Sequence, residues 1–186
     1  MTTDEVKYNV VIKAKNFELR DYPAHVVAET VVDGTLEDAG NKAFGKLFDY
    51  ISGKNRSQNK IAMTAPVSQE PASEKIAMTA PVRQQPADGG WVVSFTMPAA
   101  CTLASLPTPD DPSVTLRLVA PCRLAAVRYS GGWSEKRYHR FKGDLDVWIT
   151  AQGLKILGEP VWARYNPPFT LWFLRRNEIL IPIVKE

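Results

Sequence analysis

Lys60-Ile-Ala-Met-Thr-Ala-Pro-Val67 recurs, letter for letter, as Lys75-Ile-Ala-Met-Thr-Ala-Pro-Val82. The echo runs on, because Gln69, Pro71 and Ala72 reappear as Gln84, Pro86 and Ala87. A unit this short cannot fold alone, and two copies are fewer than a solenoid needs. Each copy reads as one strand: Ile61, Met63 and Ala65 share one face, Ala62 and Thr64 the other. Pro66 and Pro81 offer no N–H to a ladder and suit a strand end or an edge. The polar linker 68–74 contains Pro71 and Ser73, so two near-identical strands joined by a loop are expected. Residues 91–98 follow as a third strand, again closing on Met and Pro.

On the N-terminal side, 6–13 and 17–22 read as strands interrupted at Asn16. Residues 24–32 are rich in Val and Thr, a strong strand pattern ending at Asp33-Gly34. Thr35 with Asp38 three positions on resembles a capping box and starts a helix. Ala39, Ala43, Phe44, Leu47, Phe48 and Ile51 give that helix one apolar face, and Gly53 supplies a left-handed cap.

On the C-terminal side, 99–112 reads as a proline-bearing loop with a disordered tip. Residues 114–119 and 123–129 read as strands, and Gly131-Gly132 turns the chain. Ser134 caps a second helix, which carries Tyr138, Phe141, Leu145, Trp148 and Ile149 on one face and ends at Gly153. Residues 161–165 and 178–184 are the last strands. The two halves match in kind: a strand, a tight turn and a helix, then two strands. The expected fold is α+β, a curved antiparallel sheet or distorted β-barrel built from two pseudo-symmetric βαββ repeats with two flanking helices. The half-repeats run about 17–98 and 113–186 of a single domain, 1–186. Such a geometry leaves a cleft near the pseudo-axis, where an apolar ligand can lie.

Composition narrows the function. The 186 residues, 45% of them hydrophobic, fit one domain with a real core. Twenty-three Lys and Arg against 20 Asp and Glu give a net charge of +3, too balanced for a nucleic-acid binder. No apolar run approaches a membrane span, and residues 1–7 are polar and acidic rather than signal-like, so a cytoplasmic protein is expected. Cys101 and Cys122 show no metal-binding or disulfide spacing and read as small buried residues or free thiols.

Six blocks resemble one family: Phe17-Glu-Leu-Arg-Asp-Tyr-Pro23, the Met-Thr-Ala-Pro-Val core of residues 60–67, Ser94-Phe-Thr-Met-Pro98, Tyr129-Ser-Gly-Gly132, Tyr165-Asn-Pro-Pro168 and Arg175-Arg-Asn-Glu-Ile179. In this order they are similar to the SOUL haem-binding proteins. The resemblance implies a distorted antiparallel barrel flanked by two long helices. It also implies non-enzymatic haem or tetrapyrrole binding, by a monomer, in a hydrophobic groove near the first helix. The same fold is similar to effector-binding domains of bacterial regulators. The alternative is therefore a module binding a non-haem amphipathic ligand, or a minor hydrolase using Glu29 or Glu159 as base.

Some relatives carry a His directly after the Glu-Leu-Arg run, a proposed axial ligand. Here that position is Asp21, and a carboxylate substitutes poorly for imidazole on haem iron. His25 is the tentative axial ligand in its place, against the plainer reading of a hydrogen-bonded strand histidine. His139 reads as a solvated helix residue. Met63, Met78 and Met97 read as packing. Cations suited to haem propionates are Lys42 and Lys46, one turn apart, and Arg175 and Arg176. For the lysines the plainer reading is a solvated face; for the arginines it is pairing with Glu178 or with carbonyls near Asn166. Phe169 and Trp172, with Phe173, form an aromatic loop that either covers a flat macrocycle or plugs the core.

Overall fold

Alternation along one central strand sets out the architecture. In Cys122–Ser130, Leu124 and Ala126 turn to one side of the sheet, and Ala125, Val127 and Tyr129 to the other; all five are buried. A strand buried on both faces must sit inside a sheet that is covered twice. The computed structural model describes residues 4–58, 73–166 and 169–185 and bears this out.

In chain order the strands are β1 (Asp4–Glu5), β2 (Asn9–Ala14), β3 (Phe17–Tyr22) and β4 (His25–Val32). Helix α1 (Leu36–Ser52) follows, then β5 (Asn55–Arg56), β6 (Thr79–Ala80), β7 (Val82–Ala87), β8 (Gly90–Thr96), β9 (Thr108–Pro109), β10 (Thr115–Val119) and β11 (Cys122–Ser130). Helix α2 (Glu135–Ala151), β12 (Val161–Arg164), a single 3-10 turn at Trp172–Leu174 and β13 (Arg176–Ile183) complete the chain. Nine strands form one antiparallel sheet in the order β10-β4-β8-β7-β12-β13-β11-β3-β2. Among the described residues no ladder joins the outer strands β10 and β2.

Both helices lie on one face. Under α1, Ala43, Leu47, Tyr50 and Ile51 meet Val26, Ala28, Val93 and Phe95. Under α2, Tyr138, Leu145 and Ile149 meet Val127, Trp162, Ile179 and Ile181. Leu47 is fully enclosed, so cutting it to Ala costs about 2–5 kcal/mol. On the other face, Tyr22, Leu124, Ala126, Ala163 and Leu180 are covered by Val6 and Tyr8 from the N-terminal segment.

The caps match the sequence signals. Thr35 accepts from the Asp38 N–H at 3.2 Å and donates to the Asp38 carboxylate at 2.8 Å. Gly53 ends α1 at φ 119°, and Ser134 accepts from the Arg137 N–H at 3.3 Å to open α2. Three expectations change. The strand expected at 6–13 begins at Asn9, because Val6 and Tyr8 are spent on covering the second face. The loop 99–112 has no loose tip: Leu106 is buried, Pro107 takes a hydrogen bond from Tyr50, and Thr108–Pro109 pairs with Asn55–Arg56. The duplicated strands divide as well. The first copy, 60–67, lies outside the described residues. In the second, burial alternates from Lys75 to Met78, but ladders begin only at Thr79. There β6 runs parallel to β1, the Ala80–Pro81 peptide is cis, and Val82 opens β7.

Candidate functional site

Helix α1 turns two stripes to the protein. Ala39, Ala43, Leu47 and Tyr50 are buried against the sheet. Gly40, Asn41, Phe44 and Phe48, spaced at helical intervals, face a cleft instead. Phe44 and Phe48 stack at 5.7 Å between ring centroids, and Phe44 meets Phe95 edge-on at 5.4 Å. The second repeat copy also lines the cleft, through Met78, Thr79, Ala80 and Val82. Trp133, Arg164, Tyr165, Asn166 and Phe169 complete a cavity of about 420 Å³. The repeat that dominates the sequence therefore contributes to the cleft beside the helix.

Arg164 is the one charged residue among the described residues lining this cleft. It is only 5% exposed, since its place at the end of β12 sets it between α1 and the segment before α2. Its Nη2 donates to Gln84 Oε1 at 2.9 Å, and Gln84 Nε2 donates to the Leu36 carbonyl at 2.7 Å. Its guanidinium lies 5.1 Å from the ring centroids of both Trp133 and Trp162. No carboxylate among the described residues pairs with it. Burial draws the guanidinium down to about 10, so it stays charged at neutral pH. A Cβ at Gly40 would overlap Nη2, so glycine in mid-helix is what admits the guanidinium.

A second depression, about 810 Å³, shares Thr79 with this cleft and is otherwise lined by His25, Met97, Cys101, Leu103 and Leu118 among others. His25 is thus not part of the α1 cleft. Its Nδ1 is 3.0 Å from the Pro23 carbonyl and its Nε2 3.2 Å from Arg83 Nη1. Arginine can only donate, so Nε2 accepts, Nδ1 carries the proton, and both ring nitrogens are occupied. Burial, with Arg83 and Arg117 nearby, lowers its pKa despite the Pro23 bond.

The other sequence candidates scatter. Lys42 pairs with Asp33 at 2.9 Å and Lys46 with Ser113 at 3.0 Å, and neither lines the cleft. Arg175 donates to the Thr170 carbonyl at 2.8 Å and lies 4.4 Å from the Trp133 ring, behind the cleft wall. Arg176 holds Glu178 at 2.8 Å and Glu5 at 3.0 Å. Phe169 does line the cleft and is 88% exposed, whereas Trp172 stands outside it against Phe173. Asp21 lines neither cavity and takes two hydrogen bonds from Arg123, which lower its pKa. Glu29 is tied to Arg117 by two 2.8 Å bonds, and neither it nor Glu159 lines a cleft. Sequence reasoning missed Arg164. Gly40 was the available signal, since glycine inside a helix costs about 1 kcal/mol against Ala and marks a close approach.

Two of the sequence blocks serve the scaffold. Arg20 of the Glu-Leu-Arg block reaches Glu178 of the Arg-Arg-Asn-Glu block at 2.6 and 3.2 Å. Glu178, fully buried, also accepts from Arg176 and from the Tyr165 hydroxyl at 2.8 Å. Arg20 in turn donates to Glu18 and Tyr22 and lies 4.3 Å from the Tyr8 ring.

An α+β sheet with a mainly apolar cleft beside a helix is a setting in which small ligands are commonly bound. The profile of the SOUL heme-binding protein family matches residues 3–182. The chain belongs to that family. It is similar to Heme-binding protein 2 of Homo sapiens, 43% identical over 61 residues, which cover 31% of this chain and 30% of that protein. Among solved structures, a hydrolase from Listeria innocua superposes with TM-score 0.62 at 12% identity, covering 94% of each chain. The C-terminal domain of EcmrR superposes with TM-score 0.61 at 11% identity, covering 96% of this chain and 99% of that one. At such identity these two share the fold alone. No helix among the described residues is long and apolar enough to cross a membrane.

Proposed function

We propose that this chain is a non-enzymatic haem- or tetrapyrrole-binding protein, and that the macrocycle lies in the cleft beside α1. Family membership supplies the ligand class, as does the name of its human relative. The observation that carries the location is the aromatic lining of a mostly apolar cavity by Phe44, Phe48, Trp133 and Phe169, suited to a flat ring. The reading includes a single domain whose halves are related βαββ units. The order β4-β8-β7-β12-β13-β11 supports this, because it repeats itself in reverse about the β7–β12 pair. It also includes a monomer that binds no nucleic acid, in keeping with the +3 balance of charge.

Binding in this cleft is proposed to need no axial imidazole. No histidine lines it, the Tyr165 hydroxyl is committed to Glu178, and Met78 packs against the α1 core. Hemin and metal-free protoporphyrin IX should therefore bind with similar affinity, and His25→Ala should leave both unchanged. A Soret spectrum that depends on His25, with protoporphyrin IX failing to compete, would move the site to the second depression. The lack of imidazole also favours, as second reading, a module for another flat amphipathic molecule. In that case 1-pyrenebutyrate, a flat non-tetrapyrrole probe, would bind and neither tetrapyrrole would.

A further inference from the structure

On the far face of the sheet Glu178 and Arg20 neutralise each other. Arg83 there and Arg164 on the helix face have no carboxylate partner among the described residues, and of these two only Arg164 lines the α1 cleft. Glu178 has two guanidinium partners, and Arg20 has two carboxylates. Arg164 has only the neutral amide of Gln84. A buried ion without a counter-ion is costly unless something else supplies the opposite charge. Its surroundings hold it in place: Gln84 bridges Nη2 to the first carbonyl of α1, two indole rings flank it, and Gly40 leaves room for it. The remaining nitrogens, Nε and Nη1, have no acceptor among the described residues. They are not sealed from solvent either, so these donors open onto the cleft that Arg164 lines. Among the described residues no Asp or Glu lines that cleft to compete for them.

We propose that Arg164 is the anion-recognising residue of the cleft, receiving a carboxylate carried on the flat apolar ligand. Gln84 acts as its positioning residue. Guanidinium and carboxylate match as paired donors and acceptors, and in a mostly apolar site the contact discriminates strongly against a neutral head. The proposal rests on the tetrapyrrole reading for the natural ligand, where the carboxylate is a propionate. The chemistry requires only an acid on an aromatic body. The cations nominated from sequence are not needed for it, since Lys42, Lys46 and Arg176 already have partners outside the cleft.

The test compares acids with their esters by fluorescence titration: protoporphyrin IX against its dimethyl ester, and 1-pyrenebutyrate against its methyl ester. The proteins are wild type, Arg164→Met and Gly40→Ala. The last keeps every charge but drives the guanidinium from its seat. Wild type should prefer each acid by about tenfold or more, the scale of one charge-assisted hydrogen bond. Both variants should bind acid and ester nearly alike. Should Arg164→Met lose its fold by circular dichroism, Gly40→Ala carries the same comparison. Equal binding of acid and ester by wild type would overturn the role of Arg164 and leave the tetrapyrrole reading standing. So would a preference that survives in both variants. Failure of both porphyrins, with an Arg164-dependent preference for pyrenebutyrate, would do the reverse. Binding of neither pair would sink both.

Discussion

Glu178 and Arg164 are both buried charges on neighbouring strands, and the sheet treats them in opposite ways. Glu178, on the face covered by the N-terminal segment, sits in a closed network with Arg20, Arg176 and Tyr165. Arg164, on the face covered by helices, has one neutral partner and an open side. A closed network fixes structure because every member leaves a charge stranded if one is lost. An open one leaves its unused donors for something that arrives from outside. The Glu-Leu-Arg and Arg-Arg-Asn-Glu blocks build the closed network. The residue best placed to read a ligand stands one position before the Tyr-Asn-Pro-Pro block.

The contrast is broken most severely by Glu178→Gln. Arg20 and Arg176 would lose their shared carboxylate while still buried, a loss of about 3–5 kcal/mol in urea unfolding. The same pair gives a pH signature. Burial alone would raise the Glu178 pKa, but the bonds from Arg20 and Arg176 outweigh it and hold the value below the ordinary 4.5. A carboxylate depressed in the folded state lends stability that is full above 4.5 and is lost as pH falls through its folded value. Wild type should weaken steeply in that acid range, and the Gln variant should lack that part of the slope. Wild-type steepness in the variant would show that other carboxylates govern acid unfolding.

Phe44→Ala comes next. The side chain is partly buried against Phe48 and Phe95, so about 2 kcal/mol of stability should go, together with most tetrapyrrole affinity. Unaltered hemin binding in a folded variant would remove the cleft from consideration. Arg164→Met should shift stability by no more than about 1 kcal/mol. The lost Gln84 bond is offset by relief of an uncompensated buried charge. A loss as large as that of Glu178→Gln would mean that Arg164 is as structural as its counterpart. The smallest effect belongs to His25, whose folded pKa lies below 6.5. Its share of stability is present above 6.5 and fades as pH drops through the folded value. His25→Asn should flatten the stability curve there by less than about 1 kcal/mol, on the scale of a single hydrogen bond.

Secondary structure was legible because its signals are local. The Thr35–Asp38 cap, the Gly53 stop and the period-two alternation of 24–32 and 123–129 each report on a few adjacent residues. A cleft beside α1 was expected too, through the family resemblance and not from the spacing of the helix's apolar residues. Its occupants were not. Lys42 and Lys46 read as available cations because Asp33 and Ser113, their partners, are set by the fold and not by spacing. His25 stands on the strand just before α1, yet it lines a different cavity from the one beside that helix. Arg164 was hidden by the usual bias that an isolated arginine in a strand faces water.

The meeting of Gly40 and Arg164 also has a meaning for descent. Two positions separated by more than a hundred residues share one small volume, so a side chain at 40 and a seated guanidinium at 164 exclude each other. A lineage that enlarges residue 40 gives up the seated cation, whether residue 164 swings away or shortens. Across relatives, a side chain at 40 together with a small residue at 164 would mark proteins that hold their ligand by other means. Those two letters alone would divide the family by how its members grip what they carry.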